Sequence, residues 1–231
     1  MFSPTVLRKF SLITASSVLL AFGGIKTAQA ASFTIFNSGV DNAGSVLPDG
    51  TVDSHYTIPT SVNGPSNAFA VAAYQAYVPN NSTSKWIGPT SNAGNSNISV
   101  GSFTYRTTFY LTGLDPNTAV LKGSFASDNN TVSVLINGNS TGITSDFTSF
   151  TSFSPFSITN GFVNGANTID FIVFNGGFSS GLRTEFTQGT AAPVGSAVVP
   201  NAVVPEPSEV LGTLVFGTLA AGYLANYRTL P

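Results

Sequence analysis

The sequence predicts an all-β fold, an antiparallel two-sheet β-sandwich of jelly-roll type, with an N-terminal signal helix before it and a C-terminal transmembrane helix after it. Three observations carry this expectation. The middle of the chain is rich in Phe, Val, Ile, Thr, Ser, Asn and Gly, and only 8% of the 231 residues are charged, a composition of strands joined by tight turns. Short alternating or apolar segments recur along it with turn signals between them and no helical period. Each end of the chain holds one long apolar run.

The first element is an export signal. Arg8 and Lys9 precede the apolar stretch 10–23, and Ala28-Gln29-Ala30 gives a small-x-small site before Ala31. This layout predicts a signal peptide over 1–30, cleaved after Ala30 and read by the Sec export machinery; an uncleaved anchor is the other reading. Removing 1–30 takes away Arg8, Lys9 and Lys26 and leaves five basic against ten acidic residues, a net charge of −5. No cluster of Lys or Arg exists for phosphate, which argues against a nucleic-acid partner. The chain has no cysteine, so disulfides and thiolate metal sites are excluded and the exported domain must rest on burial alone.

The sandwich is expected over 31–190 as one domain. Its strands fall at 33–36, 55–58, 69–74, 103–111, 120–126, 132–136, 153–158, 168–174 and 182–186. Asp49-Gly50, Asn63-Gly64-Pro65, Asp115-Pro116, Asn137-Gly138 and Asn164-Gly165 punctuate them. Segment 103–111 is the clearest, with Phe103, Tyr105, Thr107 and Phe109 on one face and Thr104, Arg106, Thr108 and Tyr110 on the other. The aromatic face is core. Asn137-Gly138 suits a two-residue hairpin turn in which both positions take positive φ, and Asn167 is placed to cap the turn that Gly165 opens.

Residues 191–203 are small, apolar and Pro-punctuated, a flexible spacer. The tail, 204–231, opens with Val-Pro-Glu-Pro-Ser and continues in the apolar run 210–227 before Arg228. As a helix that run is about 27 Å long, close to the ~30 Å hydrocarbon core of a bilayer. Its Thr, Gly and Ala content makes insertion marginal, which fits a transient membrane stop better than a permanent bundle member; a buried core helix is the alternative.

The ordered set of signal peptide, Pro205-Glu206-Pro207 triplet and terminal apolar helix resembles the PEP-CTERM sorting signal of exported bacterial proteins. That resemblance implies processing by an exosortase-type membrane protease. The signal normally ends in clustered basic residues, where this chain has Arg228 alone. In the middle, Phe125-Ala126-Ser127-Asp128-Asn129, the Asn137-Gly138 hairpin, Phe153 to Ile158 and Gly165-Ala166-Asn167-Thr168-Ile169 resemble the second half of galactose-binding-like sandwich domains. The segment from Asp49 to Tyr56, with Ser-Lys-Trp-Ile at 84–87, Tyr-Arg-Thr-Thr-Phe at 105–109 and Gly-Leu-Arg at 181–183, is similar to sequences of PEP-CTERM proteins. These resemblances imply a fold and a secretion route.

Three groups of residues invite chemistry. Gly177-Phe178-Ser179-Ser180-Gly181 matches the Gly-x-Ser-x-Gly pattern of a hydrolase elbow, but a strand rather than a helix is expected after it, and the one histidine, His55, precedes the serine. Asp41, Asp49 and Asp53 lie close in sequence, without the spacing of an EF-hand loop. One His cannot supply zinc, so the oxygen-rich set favours calcium. Galactose-binding-like domains often carry a structural calcium, and Glu185 on the last strand is the candidate that would complete such a site. Solvated loop acids and Asx turns are the alternative for these residues. Trp86, the only tryptophan, and Arg106, opposite the aromatic stripe, are the candidates for binding polysaccharide. Their alternative roles are a core plug for Trp86 and an ion pair with Asp53 or Asp128 for Arg106. Beyond calcium no cofactor is expected. The expectation is a non-enzymatic exported protein, membrane-tethered at least transiently and then at the cell surface or in the extracellular matrix. A purely structural envelope protein and a secreted hydrolase are the alternatives.

Overall fold

The computed structural model describes residues 29–196. The expected signal-peptide core with Ala28, most of the spacer, and the tail with Pro205, Glu206 and Pro207 lie outside the described residues. Among the described residues no helix is long and apolar enough to cross a membrane. Eleven strands follow in order: β1 (Ala31–Ser32), β2 (Val52–Ser61), β3 (Ser66–Ala70), β4 (Ile87–Gly88), β5 (Gly101–Tyr110), β6 (Val120–Asp128), β7 (Asn130–Ile136), β8 (Asn139–Ser140), β9 (Ser154–Ile158), β10 (Ala166–Asn175) and β11 (Gly181–Ala191). Two short 3₁₀ turns, Ala93–Asn95 and Pro116–Thr118, are the helical structure among the described residues.

β5 alternates as its sequence dictates, with Phe103, Tyr105, Thr107 and Phe109 buried. It pairs antiparallel with β10 over its whole length, Ala166 opposite Tyr110 and Asn175 opposite Gly101. On its other side it pairs with β2, where the register shifts between Thr57 and Thr60. Pro59 lies inside that shift and has no amide hydrogen to give to a ladder. The full order is β8-β7-β10-β5-β2-β3-β4-β11-β6-β9, with β1 added on β11.

Two separate sheets were expected, and the structure instead forms one continuous path that curls on itself. The short β3 and β4 join the halves, Phe69 pairing with Gly88 and Ala70 with Ile87. The curl brings Phe171 of β10 to 5.3 Å from Phe125 of β6 and 6.1 Å from Phe156 of β9. The core lies between the halves. Bridging with β3 and β4 gives backbone groups along that seam partners where an open edge would present them to other chains.

Segments 33–36 and 69–74 depart from expectation. Only Ala31–Ser32 forms a strand at the first; Phe33 donates its N–H to the Gly189 carbonyl at 2.9 Å and stacks on Phe109 at 5.2 Å. Its apolar pattern reflects burial of rings, not pairing. β3 stops at Ala70, after which Val71 bonds to the Trp86 carbonyl and the chain turns at Tyr74 to Tyr77. The hairpin is as expected, Asn137 and Gly138 having φ of 51° and 80°. Asn167 caps its turn, donating to the carbonyls of Val163 and Gly165. Residues 192–194, assigned to the spacer, bond to the 113–115 turn, Asp115 donating to Ala192 at 2.7 Å and Val194 to Gly113 at 3.0 Å.

One guanidinium lies wholly inside. Arg183 of β11 is 1% exposed. Its Nε donates to Ser84 Oγ at 2.7 Å, Nη1 to the Pro79 carbonyl, and Nη2 to Glu185 Oε1 at 3.0 Å. Glu185 also accepts from Ser84 Oγ at 2.7 Å and Asn81 Nδ2 at 2.9 Å, and the Phe153 ring lies 5.0 Å from the guanidinium carbon. The same loop carries Trp86, which is fully buried, donates its indole N–H to the Val78 carbonyl at 2.8 Å and packs 4.3 Å from Tyr77.

Truncating Arg183 strands the partly buried Glu185 carboxylate and the carbonyls of the loop. Arg183→Met is expected to destabilise the fold by about 3–5 kcal/mol. Arg183→Lys should recover little of this, because an ammonium cannot reproduce the planar fork. Urea unfolding followed by the fluorescence of Trp86 measures both, and a midpoint unchanged in Arg183→Met would refute the assignment.

Candidate functional site

The outer face of β5 carries Arg106, Thr108 and Tyr110, since its inner face is taken by aromatic core residues. Asp170 of β10 is directly opposite Arg106 in the ladder. The pair is bidentate, Nε to Oδ1 and Nη2 to Oδ2 both at 2.7 Å. The Asp170 side chain is 3% exposed and that of Arg106 39%, so the acid is sealed beneath the guanidinium. The hydrogen bond with Asp170 holds the Arg106 guanidinium above its ordinary value, against an opposing effect of burial. Of the five N–H donors of a guanidinium, the carboxylate takes two and the others remain for a ligand.

A groove of about 380 Å³ lies beside this pair, between Thr34, Phe36 and His55 on one side and Arg106, Thr108 and Tyr110 on the other. Phe36 and His55 stack face to face, 3.7 Å between centroids and 7° between planes. Tyr110 is 62% exposed. Ser54 and Thr57 add hydroxyls from β2. The groove therefore combines fixed guanidinium donors, hydroxyls that donate and accept, and an exposed aromatic ring. No carboxylate is among its lining residues, and Asp170 beside it is covered by Arg106.

Of the two residues expected to bind ligand, Arg106 lines this groove, with Asp170 rather than Asp53 or Asp128 as its partner. Trp86 is a correction: it is fully buried and offers no stacking face, because its loop is drawn inward by Arg183 and its indole N–H is used at Val78. The four acids expected around calcium are dispersed. Asp41 Oδ1 accepts from the amides of Ala43 and Ser45, both at 2.9 Å. Asp49 pairs with Lys85 Nζ at 2.5 Å, Asp53 accepts from the amides of Gly39 and His55, and Glu185 belongs to the Arg183 network. Among the described residues no three His, Asp or Glu side chains converge as metal ligands. Ser179 is 2% exposed and donates to the Gly94 carbonyl at 2.9 Å, the arrangement of a buried loop hydroxyl.

Sequence reasoning passed over Tyr110 and the Phe36–His55 stack. Tyr110 was legible as the last outward position of β5. The stack joins residues from two segments that only the tertiary fold brings together.

Two buried aspartates titrate against the fold. Burial raises the Asp53 carboxyl above its ordinary value, although the Gly39 and His55 amides pull it down. Burial likewise raises Asp128, opposed by the hydrogen bond from the Tyr77 hydroxyl. Burial also acts to raise Glu185, but Ser84, Asn81 and the Arg183 charge together outweigh it and hold that group low. A carboxyl raised in the folded state favours folding below the ordinary 3.8 and loses that contribution as pH rises through its folded value. Glu185 acts oppositely, contributing above the ordinary 4.5 and losing its contribution as pH falls. The urea midpoint is expected to fall as pH is raised from the ordinary 3.8 through the folded values of the two aspartates. The fall should be smaller in Asp128→Asn, whose amide oxygen still accepts from Tyr77; equal slopes in the two proteins would refute it.

No family model matches this chain, and no curated protein matches it. Among solved structures, the chain is similar to a family 35 carbohydrate binding module from an environmental isolate, at 13% sequence identity and a TM-score of 0.33, over 62% of this chain and 95% of that one.

Proposed function

We propose that this chain is a non-enzymatic, exported surface or extracellular-matrix protein that binds polysaccharide through the groove between β2 and β5. The curled sheet is, in this reading, a galactose-binding-like jelly roll. A signal peptide over 1–30 sends the chain through the Sec machinery, and the Pro205-Glu206-Pro207 tail holds it in a membrane until an exosortase-type protease processes it. The observation that carries the binding role is Arg106, whose guanidinium is locked flat by Asp170 while its remaining N–H groups face a groove walled by hydroxyls and the exposed Tyr110. Sugar rings are recognised by such a mixture, an apolar ring face on an aromatic and hydroxyls on planar donors.

Binding to a panel of acidic and neutral polysaccharides tests the groove. Removing Arg106 outright would leave Asp170 buried and unpaired, so the informative variants are Arg106→Lys, which keeps the charge and loses the fork, and Tyr110→Ala. Each is expected to weaken binding about tenfold, equivalent to ~1.4 kcal/mol, with the unfolding midpoint of Tyr110→Ala unchanged. Unaltered affinity in both variants would overturn the assignment.

The sorting role has its own test. The full chain is expected to partition with membranes and to shorten in mass on processing, whereas a chain ending at residue 209 should appear free of membrane. Equal partition of the two forms would count against the tail as an anchor.

A further inference from the structure

A second concavity, of about 180 Å³, opens beside the start of β5, at the far end of that strand from Tyr110. Asn63, Ser66, Thr90, Asn97 and Ser99 line it, with Phe103 behind them. No lining residue is charged, in contrast to the Arg106 groove. Ser66 Oγ is shielded from solvent and bonds to no protein group, which is uncommon for a buried hydroxyl. Asn63 Nδ2 donates to Ser99 Oγ at 3.2 Å and ties together the two loops that form the walls. Asn97 accepts the Phe178 N–H through Oδ1 at 3.2 Å, which leaves its amide N–H₂ to donate.

The backbone of Phe178 bonds to the wall of this pocket and is held in an unusual way. Its φ is +67°, a left-handed conformation that a bulky side chain rarely adopts. It is 56% exposed. Its carbonyl accepts from Ile98 at 2.8 Å, which fixes it to the pocket wall, and its ring meets Tyr74 edge-on at 5.6 Å. A left-handed position that suits glycine, and that has glycines at 176 and 177, thus carries an exposed aromatic. Strain of this kind concentrates where ligands are held.

We infer that this pocket binds one neutral hexose unit, its hydroxyls taken by Ser66, Asn97 and Ser99. The absence of charged lining residues sets the ligand class: phosphate, carboxylate and metal ions would find no counter-charge, whereas a polyol finds donors and acceptors in one small space. The inference takes its class of ligand from the saccharide reading above and shares no residue with the groove.

The test uses the full chain in a detergent without a sugar headgroup, probed by saturation-transfer NMR with glucose, galactose, mannose and glucuronate. At least one neutral hexose is expected to bind. Ser66→Val and Asn63→Ala should each weaken it tenfold or more, and Tyr110→Ala should leave its affinity within twofold. Asn63→Ala lies in an exposed turn and keeps the test open where Ser66→Val fails to fold. Failure of every neutral hexose to bind, or unchanged binding in folded Ser66→Val and Asn63→Ala, overturns the pocket. Binding of glucuronate alone, or loss in Tyr110→Ala alone, also overturns it while leaving the groove standing.

Discussion

The buried guanidinium of Arg183 is the constraint on which the rest depends. Taking a charge out of water is costly unless its donors find partners, and here Ser84 and Pro79 come from a loop about a hundred residues earlier in sequence and Glu185 from β11 itself. Ser84, Pro79 and Glu185 satisfy the fork, and in doing so fix the 78–86 loop against β11. Burial still draws the guanidinium below its ordinary value, with Glu185 opposing. Once the loop is fixed, Trp86 and Tyr77 fill the space beneath it. A core without disulfides is closed in this way by one satisfied polar network over packed aromatics.

The same network reaches the groove. Ser38 Oγ donates to the Lys85 carbonyl at 2.7 Å and accepts from the Thr184 amide at 2.9 Å, and Asn37 Oδ1 accepts from Phe186 at 2.7 Å. The 34–38 segment, which supplies Thr34 and Phe36 to the groove wall, is thereby bonded to β11 on both sides of Glu185. Gly39 continues it at φ 68°, where an added Cβ would meet Lys85 Cβ at 2.5 Å. Asp53 receives the Gly39 amide and accepts the penalty of burial to do so. The wall of the groove is therefore positioned from the core outward.

Local chemistry was the legible part of this chain. β5 could be read residue by residue because period-two alternation reports which face is buried, and it placed Arg106 outward correctly. Asn137-Gly138 and Asn167 were legible because turn chemistry acts over two to four residues. What the sequence concealed depends on contacts across long separations. Trp86 reads equally as an exposed platform or a core plug, and only its distance to Val78 and Tyr77 decides. Glu185 and the acids at 41, 49 and 53 look like one oxygen cage because their partners, from Lys85 to backbone amides, are invisible in one dimension. The seam through β3 and β4 rests on a strand of two residues, too short to leave a pattern.

The two concavities differ in chemistry and in position, and the difference bears on how the domain would hold a polymer. Tyr110 and Gly101 are the ends of β5, separated by about 30 Å at ~3.3 Å per residue. Phe33 packs on Phe109, and Ala31 pairs with Ala191, so both ends of the described chain emerge at the Tyr110 end. A domain tethered through its proposed tail would carry the charged groove toward the membrane and the uncharged pocket away from it. A ligand spanning both must then run along the domain rather than across it, with a charged or donor-rich contact near the membrane and a neutral unit at the outer end. Two weak contacts on one polymer reinforce each other only when the ligand can bridge them, so short saccharides would engage each alone, and chains long enough to cover β5 would gain from both.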